Sequence, residues 1–318
     1  MSTELRVGVI GCGNISTAYF TLAPLFRGLK ITACADMNMA SAQAQAEKFG
    51  LKAMSVDDLL AAGDIDAIVN LTIPAAHYPI TKRILESGKH AYSEKPLVLT
   101  IEEGLDLRRI ADAKGLKAGC APDTFLGGAH QRARKAIDDG DIGTITSGTA
   151  HVMNFGMEHW HPNPDFFYAP GGGPVLDLGP YYVSNLINLI GPVKRVGALT
   201  ATPQKARTIA NGARLGETVP VLTPTTVHGL LEFHSGAVVT LTASWDVFAH
   251  RHANMELYGS EGSIYVPDPN FFGGSVLASK RNGPAEELPA WDHPLGIPNQ
   301  EHPQGKVANY RTAGLADM

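Results

Sequence analysis

Residues 5–14, LRVGVIGCGN, form a short, almost uncharged run rich in Val and Ile that ends on Gly11-Cys12-Gly13. Such a run suits a strand buried on both faces of a parallel sheet. A helix-compatible stretch follows from Ile15 to Leu25, so the pattern is G-x-G-x-x-S, with Ser16 at the third small position. Gly11 allows the tight turn. Gly13 lets the backbone approach a pyrophosphate, and the N-terminus of the next helix favours its negative charge. Asn14 and Ile15 open that helix and join Gly11 and Gly13 as expected cofactor contacts.

Glycine spacing alone is a weak signal; its surroundings strengthen it. A second strand, KITACAD, ends in Asp36, about 20 residues beyond the loop, where a carboxylate binds the adenosine ribose hydroxyls. Met37 and Asn38 follow, with no adjacent Arg for a 2′-phosphate, so NAD is expected ahead of NADP. A helix over residues 39–49 closes on Gly50, a strand runs from Ile65 to Pro74 into AAHYPITKRILESG, and HAYSEKPL supplies another strand end. This alternation predicts a doubly wound parallel sheet. An α/β domain without a dinucleotide is the alternative, and the glycine loop with a correctly spaced Asp36 argues against it.

At 318 residues the chain exceeds the usual size of one core, and two domains are expected: residues 1–123 for the dinucleotide and 124–318 for substrate and assembly. Hydrophobic residues at 44% and charged residues at 18% describe an ordinary globular protein. A net charge of −5 offers no footprint for nucleic acid or an anionic membrane. No apolar run nears the ~20 residues of a membrane span. Cys12, Cys34 and Cys120 form neither a C-x-x-C pair nor an even set, which suits a reducing cytoplasm and argues against a structural zinc. The N-terminus has no basic region before its first strand, so a signal peptide is not expected.

From about Thr144 the pattern changes to strand-like runs, TITSGTAHVMNF, VKRVGALTATP, TTVHGLLEFHSG, AVVTLTASWDV, HANMELYGSEG and GSIYVPD. Several alternate apolar with polar residues, which predicts a mostly antiparallel open sheet in an α+β domain, interrupted by one helix, LDLGPYYVSNLINLIG. After Pro267, Pro and Gly thicken, and long loops are expected there.

Glu94-Lys95-Pro96, following a unit that begins VGVIGCGN, resembles the E-K-P signature of the Gfo/Idh/MocA oxidoreductases. TIPAAHYPI with His77 is similar to that family's T-x-P-x-x-H segment, and APDTFLGGAHQRARKAIDDGDIG to the helix by which members leave the first domain. GGGPVLDLGPYY resembles the GG…D-x-G-x-H element, and NYRTAGLADM a late segment, so the likeness covers nearly the whole chain. It implies a hydride transfer between NAD(P) and a hydroxyl or carbonyl carbon of a sugar, inositol or related polyol, in a homo-dimer or homo-tetramer. It also implies that Glu94 and Lys95 lie at the nicotinamide, and that a further helix and closing strand would follow Met318, so the C-terminus is expected to be incomplete. His77 has two open placements, beside the cofactor or on a helix surface. An ammonium at Lys95 would stabilise a developing alkoxide and lower the pKa of a neighbouring acid–base group.

In DLGPY the family's histidine position holds Tyr181. A free phenol titrates near 10 and an imidazole near 6.5, so a tyrosine serves as acid–base group only beside a stabilising cation, and Lys95 is the candidate. Glucose–fructose oxidoreductase and dihydrodiol dehydrogenase resemble this chain in using tyrosine there. Asp177 and Tyr181 are four apart, one turn of a helix, with Asp177 expected to hold a substrate hydroxyl. The glycine run at 171–173 is read as room for a ligand, and Tyr182 as packing. His159 and His161 flank a Trp in MEHWHPNPDFFY and are expected to line a sugar pocket, with plain loop packing the alternative; no carboxylate or Cys set completes a metal site. Asp123 and Thr124 are further pocket candidates. Two other readings of the scaffold stay open: redox-neutral NAD-dependent glycosidase chemistry, and a dinucleotide sensor without turnover.

Overall fold

The computed structural model describes residues 4–289, 291–303 and 305–318. The chain forms two compact units: the first runs to Asp123 and includes Tyr310–Met318, and the second is Thr124–Asn309. The sequence reading kept 124–318 together; the structure returns the last nine residues to the first unit. The reason is packing. Leu315 is 2% exposed among Val7, Tyr19 and Tyr92, and Asp123 accepts the N–H groups of Thr312 and Gly314.

The first unit is a six-stranded parallel sheet of β1 (Leu5–Ile10), β2 (Leu29–Ala35), β3 (Lys52–Met54), β4 (Ala67–Asn70), β5 (His90–Ser93) and β6 (Ala118–Cys120). Its order is β3-β2-β1-β4-β5-β6. Helices α1 (Ser16–Leu22), α2 (Met39–Phe49), α3 (Val56–Ala61), α4 (Pro74–Glu86) and α5 (Ile101–Lys114) connect the strands. This is the expected doubly wound fold, and the order reverses between β1 and β4, where such sheets bind ligands at their carboxyl ends. Local chemistry sets the boundaries. Asn38 caps α2 through Ala40 N, Gly50 ends it at φ 68, and Thr100 with Glu103 forms a capping box on α5. β4 stops at Asn70, short of the predicted Pro74, because Pro74 instead opens α4, where its missing N–H costs nothing.

In the second unit α6 (Gly128–Asp138) precedes β7 (Ile145–Met153), and α7 (Asp165–Tyr168), α8 (Pro174–Asp177) and α9 (Gly179–Ile190) precede β8 (Val193–Ala201). A small hairpin of β9 (Ala206–Thr208) and β10 (Thr218–Pro220) follows. Then come β11 (Thr226–Phe233), β12 (Val238–Ser244), β13 (Met255–Gly259), β14 (Gly262–Val266), β15 (Leu277–Lys280) and β16 (Glu286–Glu287). The main sheet runs β16-β15-β14-β13-β7-β12-β11-β8 and is antiparallel except at β7–β12. After Pro267, where the sequence suggested long loops, β15 and β16 extend the sheet, and β17 (Gln300–His302) pairs with β18 (Gly305–Val307). One face of the main sheet buries Ala150, Val152, Leu241, Met255 and Leu257 against Ala129 and Ala133 of α6 and Leu186 and Leu189 of α9. Elsewhere on the sheet Leu199 and Leu230 remain 82% and 56% exposed. Among the described residues, no helix is long and apolar enough to cross a membrane.

His130 of α6 shows how this core depends on pH. The ring is wholly buried, with Nε2 2.8 Å from the Phe271 carbonyl and Nδ1 3.1 Å from the Asn185 amide nitrogen. A neutral ring fits both: Nε2–H donates and Nδ1 accepts. Burial holds its pKa down, from 6.5 to about 4. The unfolded chain therefore takes up a proton that the folded chain refuses. The contribution is complete above pH 6.5 and is lost as pH falls toward 4. Urea unfolding is expected to show stability falling across that window by about 3 kcal/mol, and His130→Gln to flatten that part of the slope.

Candidate active site

The glycine loop after β1 contains two different kinds of glycine. Gly11 has φ +102, and a Cβ there would lie 2.6 Å from the Leu71 carbonyl, so the fold itself requires glycine. A Cβ on Gly13 would meet nothing within 4 Å, and its backbone is not left-handed. The protein makes no demand for glycine at this exposed turn; a pyrophosphate laid across it would. Asp36 at the end of β2 accepts Cys12 N and Asn38 N, each at 2.8 Å, one on each oxygen. These bonds fix the loop and leave further lone pairs for hydroxyl donors. Ser16 is buried and donates to the Gly13 carbonyl at 2.7 Å, so the small third position also ties down the loop. Asn14 is exposed, and Ile15 is the N-cap of α1 with no side-chain cap bond. The residues present fit a dinucleotide. Gly13→Val is expected to leave the melting temperature unchanged while weakening NADH binding about tenfold or more, read by fluorescence titration. Gly11→Ala should lower the melting temperature itself.

The turn after β5 carries Lys95, half-buried, with a cis peptide to Pro96. Its N–H donates to Glu94 Oε2 at 3.1 Å. Glu94 is 6% exposed, and its Oε1 accepts Tyr19 OH at 3.0 Å and lies 3.5 Å from Arg311 Nη1. His77 on α4 is 1% exposed, with Nδ1 2.6 Å from the Pro96 carbonyl and Nε2 2.9 Å from the Thr72 carbonyl. Buried Asn70 at the end of β4 holds the start of α4 by donating to the His77 carbonyl and to Thr81 Oγ1, each at 3.0 Å. The resemblance placed Glu94 at the nicotinamide, and His77 was left either beside the cofactor or on a helix surface. In the structure their polar atoms bond the protein, and His77 is buried rather than on a helix surface; together they clamp the segments on either side of Lys95. Asp123, expected in the substrate pocket, is 3% exposed and bound to the backbone of Thr312 and Gly314, with burial pushing its pKa up. Thr124 is 1% exposed at the start of a short 3-10 turn, Thr124–Leu126, so it too is built in.

In the second unit the stretch GGGPVLDLGPYYV leads through α8 into α9. A Cβ on Gly172 would lie 2.2 Å from the Phe167 carbonyl, and one on Gly173, at φ +89, 3.0 Å from the Pro224 carbonyl. The room read as space for a ligand is occupied by the chain itself. Nor do Asp177 and Tyr181 share one helix. α8 ends at Asp177, Leu178 has φ −111, and Pro180 lacks the N–H that would continue the ladder. Asp177 is half-buried, and Tyr181 is 4% exposed among the core residues of the sheet. Tyr182 packs as expected, its hydroxyl donating to Asp268 at 3.1 Å and accepting from Asn254 at 3.0 Å.

His159 is partly exposed, 3.4 Å from Glu158 and edge-on to Phe155 at 4.5 Å. His161 accepts Asn163 N at 3.1 Å and meets Trp160, Phe166 and Phe167 edge to face. Among the described residues, no three His, Cys, Asp or Glu side chains are grouped to hold a metal. Beneath these aromatics lies a charged network that the sequence reading missed. Arg207, 4% exposed, pairs with Glu158 at 3.3 Å and with Asp246, while Tyr168 donates to Glu158. Asp246 also accepts from Thr225 at 2.8 Å and Thr226 at 2.6 Å. Its members are scattered over residues 158–246, so no local motif announces it. Its Tyr168 ends α7, just ahead of the loop that leads into α8.

Residues 5–121 match the family model described as "Oxidoreductase family, NAD-binding Rossmann fold", and residues 130–265 match the "GFO/IDH/MocA C-terminal domain". A dTDP-3,4-didehydro-2,6-dideoxy-alpha-D-glucose 3-reductase of Streptomyces violaceoruber is 30% identical over 302 residues, which is 91% of this chain and 81% of that one. The chain belongs to the Gfo/Idh/MocA family. It is an NAD-binding oxidoreductase of the dehydrogenase and reductase type. Among other Gfo/Idh/MocA relatives, D-glucoside 3-dehydrogenase of Escherichia coli (strain K12) is 28% identical over 254 residues, 77% of this chain and 71% of its own. The solved structure of levoglucosan dehydrogenase in complex with NADH superposes with a TM-score of 0.76 at 23% identity, covering 89% of this chain and 79% of that one, a likeness of fold.

Proposed function

We propose that this Gfo/Idh/MocA protein transfers hydride between NAD and a ring or chain carbon of a sugar, inositol or related polyol, with Tyr181 as acid–base group and Lys95 as its cationic partner. The observation that carries the reading is the clamping of the Lys95 turn. Glu94 takes its backbone N–H, His77 takes the Pro96 carbonyl, and both clamps are buried. A lysine at the carboxyl end of β5 in such a frame has its backbone fixed. That suits a charge aimed at a developing alkoxide better than a solvated surface group. The bound dinucleotide supplies the hydride acceptor or donor. The protein's part is to hold the substrate hydroxyl with Asp177, to take or return its proton at the Tyr181 phenol, and to balance the charge with the Lys95 ammonium. The relatives' names support a sugar as substrate: both the 3-reductase and the glucoside 3-dehydrogenase act, by name, on sugar rings.

His159 and His161, among Phe155, Trp160, Phe166 and Phe167, are proposed to border the substrate, since stacked rings and imidazole edges suit a polyol with an apolar face. The exposed Leu199 and Leu230 of the main sheet are proposed to lie in a homo-dimer or homo-tetramer contact. Three free cysteines suit the cytoplasm. A panel of aldoses, inositols and sugar acids, assayed with NAD and with NADP for nicotinamide reduction at several pH values, tests the function. Turnover with at least one polyol, faster with NAD, is expected. Tight NADH binding with no turnover on any member would replace the enzyme with a sensor.

A further inference from the structure

Thr312 is the feature that the proposed chemistry does not use. It is fully buried at φ +114, a region that a β-branched residue enters only at a cost. Such strain persists where the surroundings over-determine it, and it tends to collect at working sites. Here the surroundings are specific. Asp123 Oδ2 accepts Thr312 N at 3.1 Å and Gly314 N at 3.0 Å. A Cβ on Gly314 would lie 2.4 Å from the Tyr92 hydroxyl, so the segment is pressed against the end of the parallel sheet. The residue this turn delivers is Arg311, whose Nη1 stands 3.5 Å from Glu94 Oε1 in a pair whose side chains are 18% and 8% exposed. The other oxygen of that carboxylate holds Lys95 N–H.

We propose that Arg311 is a positioning residue: the strained C-terminal turn, fixed by Asp123, presents its guanidinium to Glu94, and Glu94 in turn sets the backbone position of Lys95. Glu94 is then oriented from two sides, by Tyr19 OH at 3.0 Å and by Arg311, and its free rotation is lost. The sequence features read as two separate motifs, E-K-P and the late NYRTAGLADM, thereby become one device. The consequence for turnover rests on the reading of Lys95 as a working group; the brace itself does not.

The test uses the full chain without cofactor. Amide hydrogen exchange at Lys95 reports the Glu94 bond directly. In Arg311→Met it is expected to quicken about tenfold or more, while Val7 and Val9 in β1 keep their protection. Arg311→Gln, a milder change should the first fail to fold, is held to the same criterion, and Arg311→Lys should restore part of the protection. With substrate, Arg311→Met should lower kcat and displace the pH–rate profile while leaving KM for NAD unchanged. Unchanged exchange at Lys95, or equal acceleration at Val7 and Val9, overturns the brace. If Lys95→Met turns over as the wild type does, the functional reading fails, and the exchange result still decides the brace.

Discussion

Lys95→Met is expected to lower kcat by about a thousandfold, the loss that accompanies removal of one donor aimed at a developing negative charge. The substitution keeps the aliphatic stem and spares the backbone anchors, because Glu94 holds Lys95 by its N–H and His77 holds Pro96 by its carbonyl. The turn should therefore survive, and on the proposed role, which acts in the transition state, NADH affinity should stay within about threefold of the wild type. Single-turnover reduction of the nicotinamide with the best polyol from the panel separates the chemical step from product release. Lys95→Arg should not rescue it: a planar, more extended fork cannot occupy the place of a compact ammonium in a clamped turn. A kcat within tenfold of wild type in Lys95→Met would remove Lys95 from the chemistry.

The parallel sheet was legible because each of its signals is local. A both-faces-buried strand, a glycine turn and an acidic strand end all lie within residues 5–36, and the physics that selects them acts over a few residues. The open sheet of the second unit was legible for the same reason, through period-two alternation. The protein partners of Glu94, His77 and Asp123 were not. Each looked like a ligand contact because a polar residue beside a motif has two uses, touching the ligand or holding the residue that does, and only the partner atoms distinguish them. Those partners are Arg311, Pro96 and Thr312. Two of them sit 217 and 189 residues from the groups they hold. The glycines at 172 and 173 misled in the opposite direction. Their lack of side chains serves contacts with Phe167 and Pro224, and nothing in GGG tells protein backbone from ligand. The break at Leu178 was present in the sequence as Pro180 and was outweighed by the i, i+4 spacing of Asp177 and Tyr181. The Arg207 network left no trace, as a buried Arg is exceptional and its acidic partners are far off in the chain.

Tyr181→Phe is expected to lower kcat by about 10²–10⁴, the usual worth of a positioned acid–base group. The ring is 4% exposed in the core of the second unit, and Phe preserves its volume there. A falling kcat without a falling melting temperature thus isolates the hydroxyl. The sharper experiment is Tyr181→His, which installs the residue that the D-x-G-x-H pattern carries. During oxidation the base must be deprotonated, so the rate climbs with pH and levels off above the pKa of the base. A free imidazole titrates near 6.5 and a free phenol near 10. The climb should therefore finish at lower pH in Tyr181→His than in the wild type, with the opposite limb shifting in the same direction for reduction. The histidine variant should recover part of the activity lost in Tyr181→Phe. On the proposed pairing, Tyr181→His should also outperform Tyr181 in a Lys95→Met background, because an imidazole needs no cation to act as a base at neutral pH. That reversal of rank is specific to a Lys–Tyr partnership. A Tyr181→Phe enzyme within tenfold of wild type, or a histidine variant with an unmoved profile, places the proton on another group.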